Sequence, residues 1–234
     1  MSAAPLVSVV VRSMDRDHLA RALSSIAAQD VGSAEVVVVN AAGRHRGLVP
    51  SCGRFPMRLV GTGNGLKRGE AANVGLDAAA GELVYFLDDD DEALPGAISA
   101  LASAVLANPP SRLAHGRCQV VDAQGQVMHY FGSPFRPEMR LSCGFFGLGA
   151  FVMGRELARK ARFDPNLDIL EDLDFFAQLS DLTAFTFIDR PVQRYWSDAG
   201  TSGAGVGANE DPLKIQRALA YIHRKWKHDP GSRA

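Results

Sequence analysis

Short apolar runs alternate with amphipathic stretches through the first half of this chain. Leu6–Val11, Glu35–Val39 and Leu83–Leu87 are dominated by Val, Leu and aromatic residues with little polar alternation. Runs of that kind predict strands buried on both faces of a sheet. Between them, Asp17–Gln29 places Leu19, Leu23 and Ile26 on one helical face. Gly69–Ala80 and Pro95–Ala107 read as further helices, the second stopped by Asn108-Pro109-Pro110. Residues 40–54 are polar and rich in Gly and Arg, hence loop, and Met57–Val60 is a further short strand. Strands and helices in this order predict an α/β fold: a mostly parallel central sheet with right-handed crossovers, flanked by helices.

The pattern changes after residue 110. Arg117–Val121 and Gln126–Tyr130 flank Asp122-Ala123-Gln124-Gly125, a hairpin signal. A run of glycines and aromatics follows at 144–151, in which Phe145 and Phe146 between glycines suit stacking on a sugar face and Phe151 suits the core. Short helices are expected at Arg155–Arg162 and Asp172–Leu182, with a late strand at Phe185–Ile188. Residues 200–208, GTSGAGVGA, read as a lid over a ligand or as a tether. The last helix, Pro212–Trp226, aligns Ile215, Leu219, Ile222 and Trp226 and carries Lys214, Arg217, Arg224, Lys225 and Lys227. Packing on its own domain is the expected use of that stripe, with a membrane surface as the alternative.

Composition narrows the function classes. A chain of 234 residues with 47% hydrophobic and 22% charged residues can bury a sizeable core. A formal net charge of −1 gives no basic field for nucleic acid. Cys52, Cys118 and Cys143 lack C-x-x-C spacing, which speaks for reduced thiols over disulfides or a cysteine zinc site. The six histidines, His18, His45, His115, His129, His223 and His228, show no ligand spacing. With neither a signal peptide nor a membrane span in view, the expected location is cytoplasmic, with peripheral contact to the inner membrane face through the last helix left open.

The densest chemistry is Asp88-Asp89-Asp90-Asp91, directly behind the strand Leu83–Leu87. Four acids at a strand end repel one another, and a divalent cation with oxygen ligands relieves that repulsion. The plain alternative is a solvated acidic turn that caps the helix beginning near Pro95. Glu171-Asp172 forms a second acidic pair, at the start of a helix and beside Leu170 and Phe175-Phe176, where partial burial raises a carboxylate pKa towards the range of a general base.

Three segments in order, "VSVVV…R…L.RAL.SI..QD", "GNGLKRGEAANVGLDAAAGELVYFLDDDD…P" and "FDPNLDILEDLDFF", resemble the inverting nucleotide-sugar glycosyltransferases of family 2, which have the GT-A fold. The likeness covers residues 6–202. It implies a glycosyltransferase domain over 1–202, with a nucleotide-binding half at about 1–110 and an acceptor half at about 111–202, followed by the Gly-rich loop and amphipathic helix of 203–234. It further implies that Asp88-Asp89-Asp90 is the family's D-x-D element. Asp90 would then ligate Mn²⁺ or Mg²⁺ on the donor diphosphate, with Asp88 near the ribose or the metal's waters and Asp89 beside the donor, while Asp91 would cap the next helix. Asp172 would be the base and Glu171 would orient it or the acceptor. Arg68 and Asn73 would lie in the donor-binding stretch, together with Gly75.

The sequence departs from the family's pattern at three places. Asn40-Ala41-Ala42-Gly43 stands where many relatives carry Asp-Asp-Gly-Ser, so Asn40 takes the place of the acid that meets the nucleobase. Ala72 precedes Asn73 where an arginine is common, leaving Arg68 as the substitute. Arg194-Tyr195-Trp196-Ser197-Asp198 lacks the histidine often found there, and Asp198 is the nearest oxygen ligand. The resemblance implies transfer of one sugar from a nucleoside-diphosphate donor to a saccharide or lipid-linked acceptor in surface-glycan assembly. Two other readings stay open: a catalytically weak nucleotide- or glycan-binding partner, and a nucleotidyltransferase. The second is disfavoured because Arg12-Ser13-Met14-Asp15-Arg16 lacks a Gly-rich loop.

Overall fold

The computed structural model describes residues 5–45, 47–142, 146–197 and 211–227. Val7–Ser13 (β1), Ala34–Asn40 (β2), Phe55–Val60 (β4) and Leu83–Asp88 (β5) form a parallel run ordered β4-β2-β1-β5. The side chains of β1, β2 and β5 are almost wholly buried: Arg68–Ala78 (α2) packs on β1 and β2, Leu19–Ala27 (α1) adds Leu19, Ala22 and Ile26 to the same core, and Ala97–Ala107 (α3) packs on the strands that follow. The edge strand β4 leaves Pro56, Arg58 and Leu59 exposed. A short strand, Ser51–Cys52 (β3), pairs antiparallel with β4 inside the segment expected to be loop.

Beyond β5 the sheet is mixed. Phe151–Gly154 (β9) runs antiparallel between β5 and Leu113–Val121 (β7), which in turn pairs with Val127–Phe131 (β8) as the expected hairpin. Phe185–Trp196 (β10) lies parallel to β7 and antiparallel to the two-residue strand Glu92–Ala93 (β6). Parallel pairing is therefore concentrated in the first half. The late strand is also far longer than the expected Phe185–Ile188: its ladder slips at Pro191 and then resumes to Trp196. Proline cannot donate to a ladder, so it is accommodated at the irregularity without ending the strand.

One core joins the two halves. Phe163 stacks on Phe175 at 4.0 Å, and Phe146, Phe151 and Phe176 pack together with centroids 4.2–5.7 Å apart. Each fully buried ring contributes about 1.5–3 kcal/mol of transfer free energy. Phe146 belongs to this cluster, stacked on the fully buried His115 at 4.4 Å, so it is core and not a free stacking platform. Phe145, Cys143, Asp198, His228 and the Gly-rich run 200–208 lie outside the described residues. Cys52 and Cys118 are buried free thiols.

Helix α2 sits close against the sheet because Gly75 faces Val10: a Cβ there would lie 2.2 Å from Val10 Cγ1. Helix Glu171–Ser180 (α4) begins after Leu170, whose φ of 60° is left-handed, a conformation that costs a branched residue about 1 kcal/mol or more. The C-terminal helix Pro212–Lys227 (α5) buries Ala218, Ile222 and Trp226 against the domain. Polar clips complete its docking: Lys225 reaches Asp164 at 2.8 Å and Asp174 at 2.9 Å, and the Trp226 indole donates to Asp174 at 3.1 Å. The stripe expected to pack or to meet a membrane thus packs. Among the described residues no helix is long and apolar enough to cross a membrane.

Candidate active site

The strand order reverses between β1 and β5, since the chain moves from β1 to β2 and β4 on one side and returns through α2 to β5 on the other. In open α/β sheets ligands bind in the crevice outside the carboxyl ends of strands at such a point. Here those ends carry Arg12, Ser13 and the acids 88–91, with Arg12 and Asp88 directly paired in register.

The cleft at this place holds about 280 Å³. It collects Asp88 and Asp91 from the end of β5, Arg68 from the start of α2, Glu171 and Asp172 from the start of α4, and Gln193 and Tyr195 from β10. The two acidic elements seen in the sequence, 83 residues apart in numbering from 88 to 171, therefore face one space. Their link is Arg12. Its guanidinium forks onto both oxygens of Asp88 at 2.7 and 2.8 Å and donates to Glu171 at 3.0 Å, and Arg68 adds a 3.5 Å ion pair to Glu171. Arg12 is buried, and although burial disfavours its charge, Asp88 and Glu171 hold its pKa above the ordinary range. Burial likewise works against ionisation of Asp88, but Arg12 wins and keeps that carboxyl below its usual value.

The four consecutive acids have distinct surroundings. Asp89 is 1% exposed and accepts from Ser13 Oγ, the Met14 N–H and Arg16, so it ties the end of β5 to the loop after β1 and its oxygens are engaged by the protein. Asp90 is held by Arg16. Asp91 does not cap the following helix: Gly96 is the residue before α3, and the Ile98 N–H in its first turn is taken by Gln29 Oε1 at 3.2 Å. Asp91 is instead buried, accepts from Gln193 Nε2 at 2.6 Å, and has its pKa pushed well up by burial and then by Asp90 and Asp88. One carboxylate oxygen from each of Asp88, Asp90 and Asp91 lies within 4.8 Å of the others. Crowded carboxylates, with Asp90 and Asp91 both raised in pKa, are a donor set that suits a hard divalent cation.

Asp172 is half-buried, and its Oδ1 accepts the Leu173 N–H at 2.8 Å. Burial, then the neighbouring Glu171 charge, pushes its pKa up to about 6. A carboxylate so tuned is still ionised at neutral pH and is a far better proton acceptor than an ordinary aspartate.

Other expected donor-side residues are placed differently. Both ends of the Asn73 amide are used by Phe163: Nδ2 donates to its carbonyl at 2.9 Å and Oδ1 accepts its N–H at 3.0 Å. Asn73 thus stitches α2 to the loop before α4, and this committed amide is no open donor contact. Asn40, at the carboxyl end of β2, is buried, and its Oδ1 is shielded from solvent with no hydrogen-bond partner among the described residues. Arg12, Arg16 and Gln193 did not stand out in the sequence. Arg12 follows the apolar run Leu6–Val11 and reads as the start of a loop, whereas it is a buried residue of β1.

Known proteins resemble this chain in sequence and in fold. The family model described as glycosyl transferase family 2 matches residues 8–156. An uncharacterized glycosyltransferase of Haemophilus influenzae is 24% identical over 94% of this chain and 77% of its own length. The GalNAc(5)-diNAcBac-PP-undecaprenol β-1,3-glucosyltransferase of Campylobacter jejuni is 34% identical over 68% of this chain, which spans just over half (55%) of that relative. Among solved structures, S. aureus TarS 1-349 in complex with UDP-GlcNAc superposes with a TM-score of 0.68 at 19% identity, covering 92% of this chain and 66% of that one. The mannosyltransferase PcManGT from Pyrobaculum calidifontis, in complex with GDP-Man and Mn²⁺, gives 0.63 at 20% identity, covering 97% and 66%. At those identities the structures speak for the fold, the GT-A architecture. The family model spans most of the chain, and its match includes β1, α2 and the acids 88–91: the chain belongs to glycosyl transferase family 2.

Proposed function

We propose that this chain is a metal-dependent, inverting glycosyltransferase that moves one sugar from a nucleoside-diphosphate donor to a hydroxyl of a saccharide or lipid-linked acceptor during surface-glycan assembly. The observation that carries the reading is the meeting of two acidic groups in one cleft: Asp88 and Asp91 of the three-carboxylate cluster, and Asp172 with its raised pKa. The donor classes rest on the complexes of the structural neighbours, and the glycan-assembly context on the Campylobacter relative.

Asp88, Asp90 and Asp91 would hold Mn²⁺ or Mg²⁺. The ion supplies neutralisation of the charge that gathers on the departing nucleoside diphosphate. Asp172 accepts the proton of the acceptor hydroxyl as its oxygen bonds to the anomeric carbon, while the bond from that carbon to the diphosphate oxygen breaks on the opposite face. Arg68, at the rim of the same cleft, faces the diphosphate, whose oxygens suit a guanidinium. Glu171, held by Arg12 and Arg68, fixes the start of α4 and so the direction of Asp172. Asn40 stands at the carboxyl end of β2, and a small shift of that strand end would bring its unpaired Oδ1 to a nucleobase N–H.

The test is an assay of nucleoside-diphosphate release from a panel of UDP-, GDP- and dTDP-sugars, with Mn²⁺ or with EDTA. One donor class turned over only with the metal, by wild type and not by Asp172→Asn, is the expected result. Turnover insensitive to both changes would overturn the assignment.

A further inference from the structure

A second cleft, of about 490 Å³, lies between α5 and residues 166–169. Its floor is apolar, made by Leu167, Ile169 and Ala218, all buried. Its wall is basic: Lys214, Arg217 and Arg224 project from α5 with Tyr221 between them, at the three-, four- and seven-residue spacings that share a helix face. The cleft's acids are already used, because Asp168 pairs with Lys67 at 2.8 Å and Asp211 caps the Leu213 N–H at 2.9 Å. Lys225, on the same helix, is taken up by Asp164 and Asp174. Lys214, Arg217 and Arg224 make no ion pair with any described residue. Among the described residues these three like charges share one helix face with no ion pair of their own, an arrangement that adds nothing to the helix itself.

We infer that this cleft binds a phosphate or diphosphate group carried by the glycosyl acceptor, an assignment that rests on the transferase reading above. Two arginines and a lysine around one space suit a multiply charged oxyanion, and the arginine forks add directional donors. The cleft also adjoins the candidate active site, since Ile169 lines both. Ile169 and Asp172 are three residues apart, so their Cα atoms lie within about 11 Å. On this reading the acceptor rests its anionic group on α5 and presents a sugar hydroxyl to Asp172.

The test uses pyrophosphate as the probe, in EDTA so that metal-dependent binding at the acids is silent, and measures its affinity by calorimetry. Wild type is expected to bind saturably, Arg217→Gln/Arg224→Gln about tenfold or more weakly, and Arg217→Lys/Arg224→Lys within a few fold of wild type. Nucleotide binding with Mn²⁺ should be the same in all three, which shows that the fold and the donor site persist. Absent pyrophosphate binding in wild type, or equal binding in the glutamine variant, overturns the inference while the nucleotide result leaves the transferase reading standing. Co-sedimentation with phosphatidylglycerol vesicles that is lost in the glutamine variant, without binding of soluble pyrophosphate, overturns it in favour of a membrane surface.

Discussion

Arg12 and Asp88 sit opposite each other at the carboxyl ends of β1 and β5, and the guanidinium of Arg12 takes both oxygens of the carboxylate at 2.7 and 2.8 Å. The third arm of the same guanidinium reaches Glu171 at 3.0 Å. A single buried cation thus couples the strand that carries the acids to the helix that carries Asp172. Buried pairs add little net stability over apolar packing, but removing one partner strands the other charges. Arg12→Leu should therefore destabilise the protein by about 3–5 kcal/mol at neutral pH. Urea unfolding measures this; an unchanged midpoint would mean that water already solvates Asp88 and Glu171.

Asp172→Asn removes the proton acceptor and leaves the metal cluster intact. Transfer should fall by about 10²–10⁴-fold, with donor affinity nearly unchanged. In wild type the group must be ionised to act and its pKa is about 6, so the rate should rise as pH increases through about 6 and level off above it. Rate measurements across that range, beside donor titrations of the variant, check both parts. A large loss of donor affinity would make Asp172 a ligand and not a base.

His115 makes a separate prediction about stability. It is fully buried between Phe146, Phe185 and Phe187, neither ring nitrogen has a partner among the described residues, and burial pushes its pKa down to about 4. The unfolded chain binds the proton near pH 6.5, so between about 6.5 and 4 the unfolded state holds more protons and stability falls as pH falls. At pH 5 the linked loss is about 2 kcal/mol relative to neutral pH. Unfolding free energies of wild type and His115→Phe at pH 7.5 and 5 should differ by that amount. Equal losses in both would show that the ring is hydrated.

Gly75→Ala tests how closely α2 sits on the sheet. The new methyl would meet a branched Val10 carbon at 2.2 Å in a packed core, so a cost of about 1–3 kcal/mol is expected despite alanine's better helix propensity. Thermal unfolding decides the sign; a stabilised variant would mean that the helix shifts freely.

Much of this architecture is written locally in the chain. The buried strands and the helices between them show in their periodicity, and the acids 88–91 and 171–172 stand out because charge at a strand end or helix start needs a reason. What pattern reading misses depends on distant partners. Asp189-Arg190-Pro191 looks like the end of a strand, yet β10 slips at Pro191 and runs on to Trp196, which is how Gln193 meets Asp91. Asp91 reads as a helix cap by position, while the actual N–H partner is Gln29, 69 residues from Ile98. Asn73 looks free for a ligand until the loop at Phe163 folds back on it. Arg12 reads as loop because its two acids come from β5 and from α4.

On the proposed function, the acids at the end of β5 bind a metal–nucleotide. The most direct measurement is the thermal shift of wild type and Asp90→Ala with UDP, GDP, CDP, dTDP and ADP, each with and without Mn²⁺. Binding to the folded state at a hundredfold excess over Kd adds about 2.7 kcal/mol, roughly 5 °C or more for a chain of this size. Such a shift is expected for one nucleotide class, only with Mn²⁺, and is expected to be lost in Asp90→Ala. No metal-dependent shift with any nucleotide in wild type, or an equal shift in the variant, would contradict it.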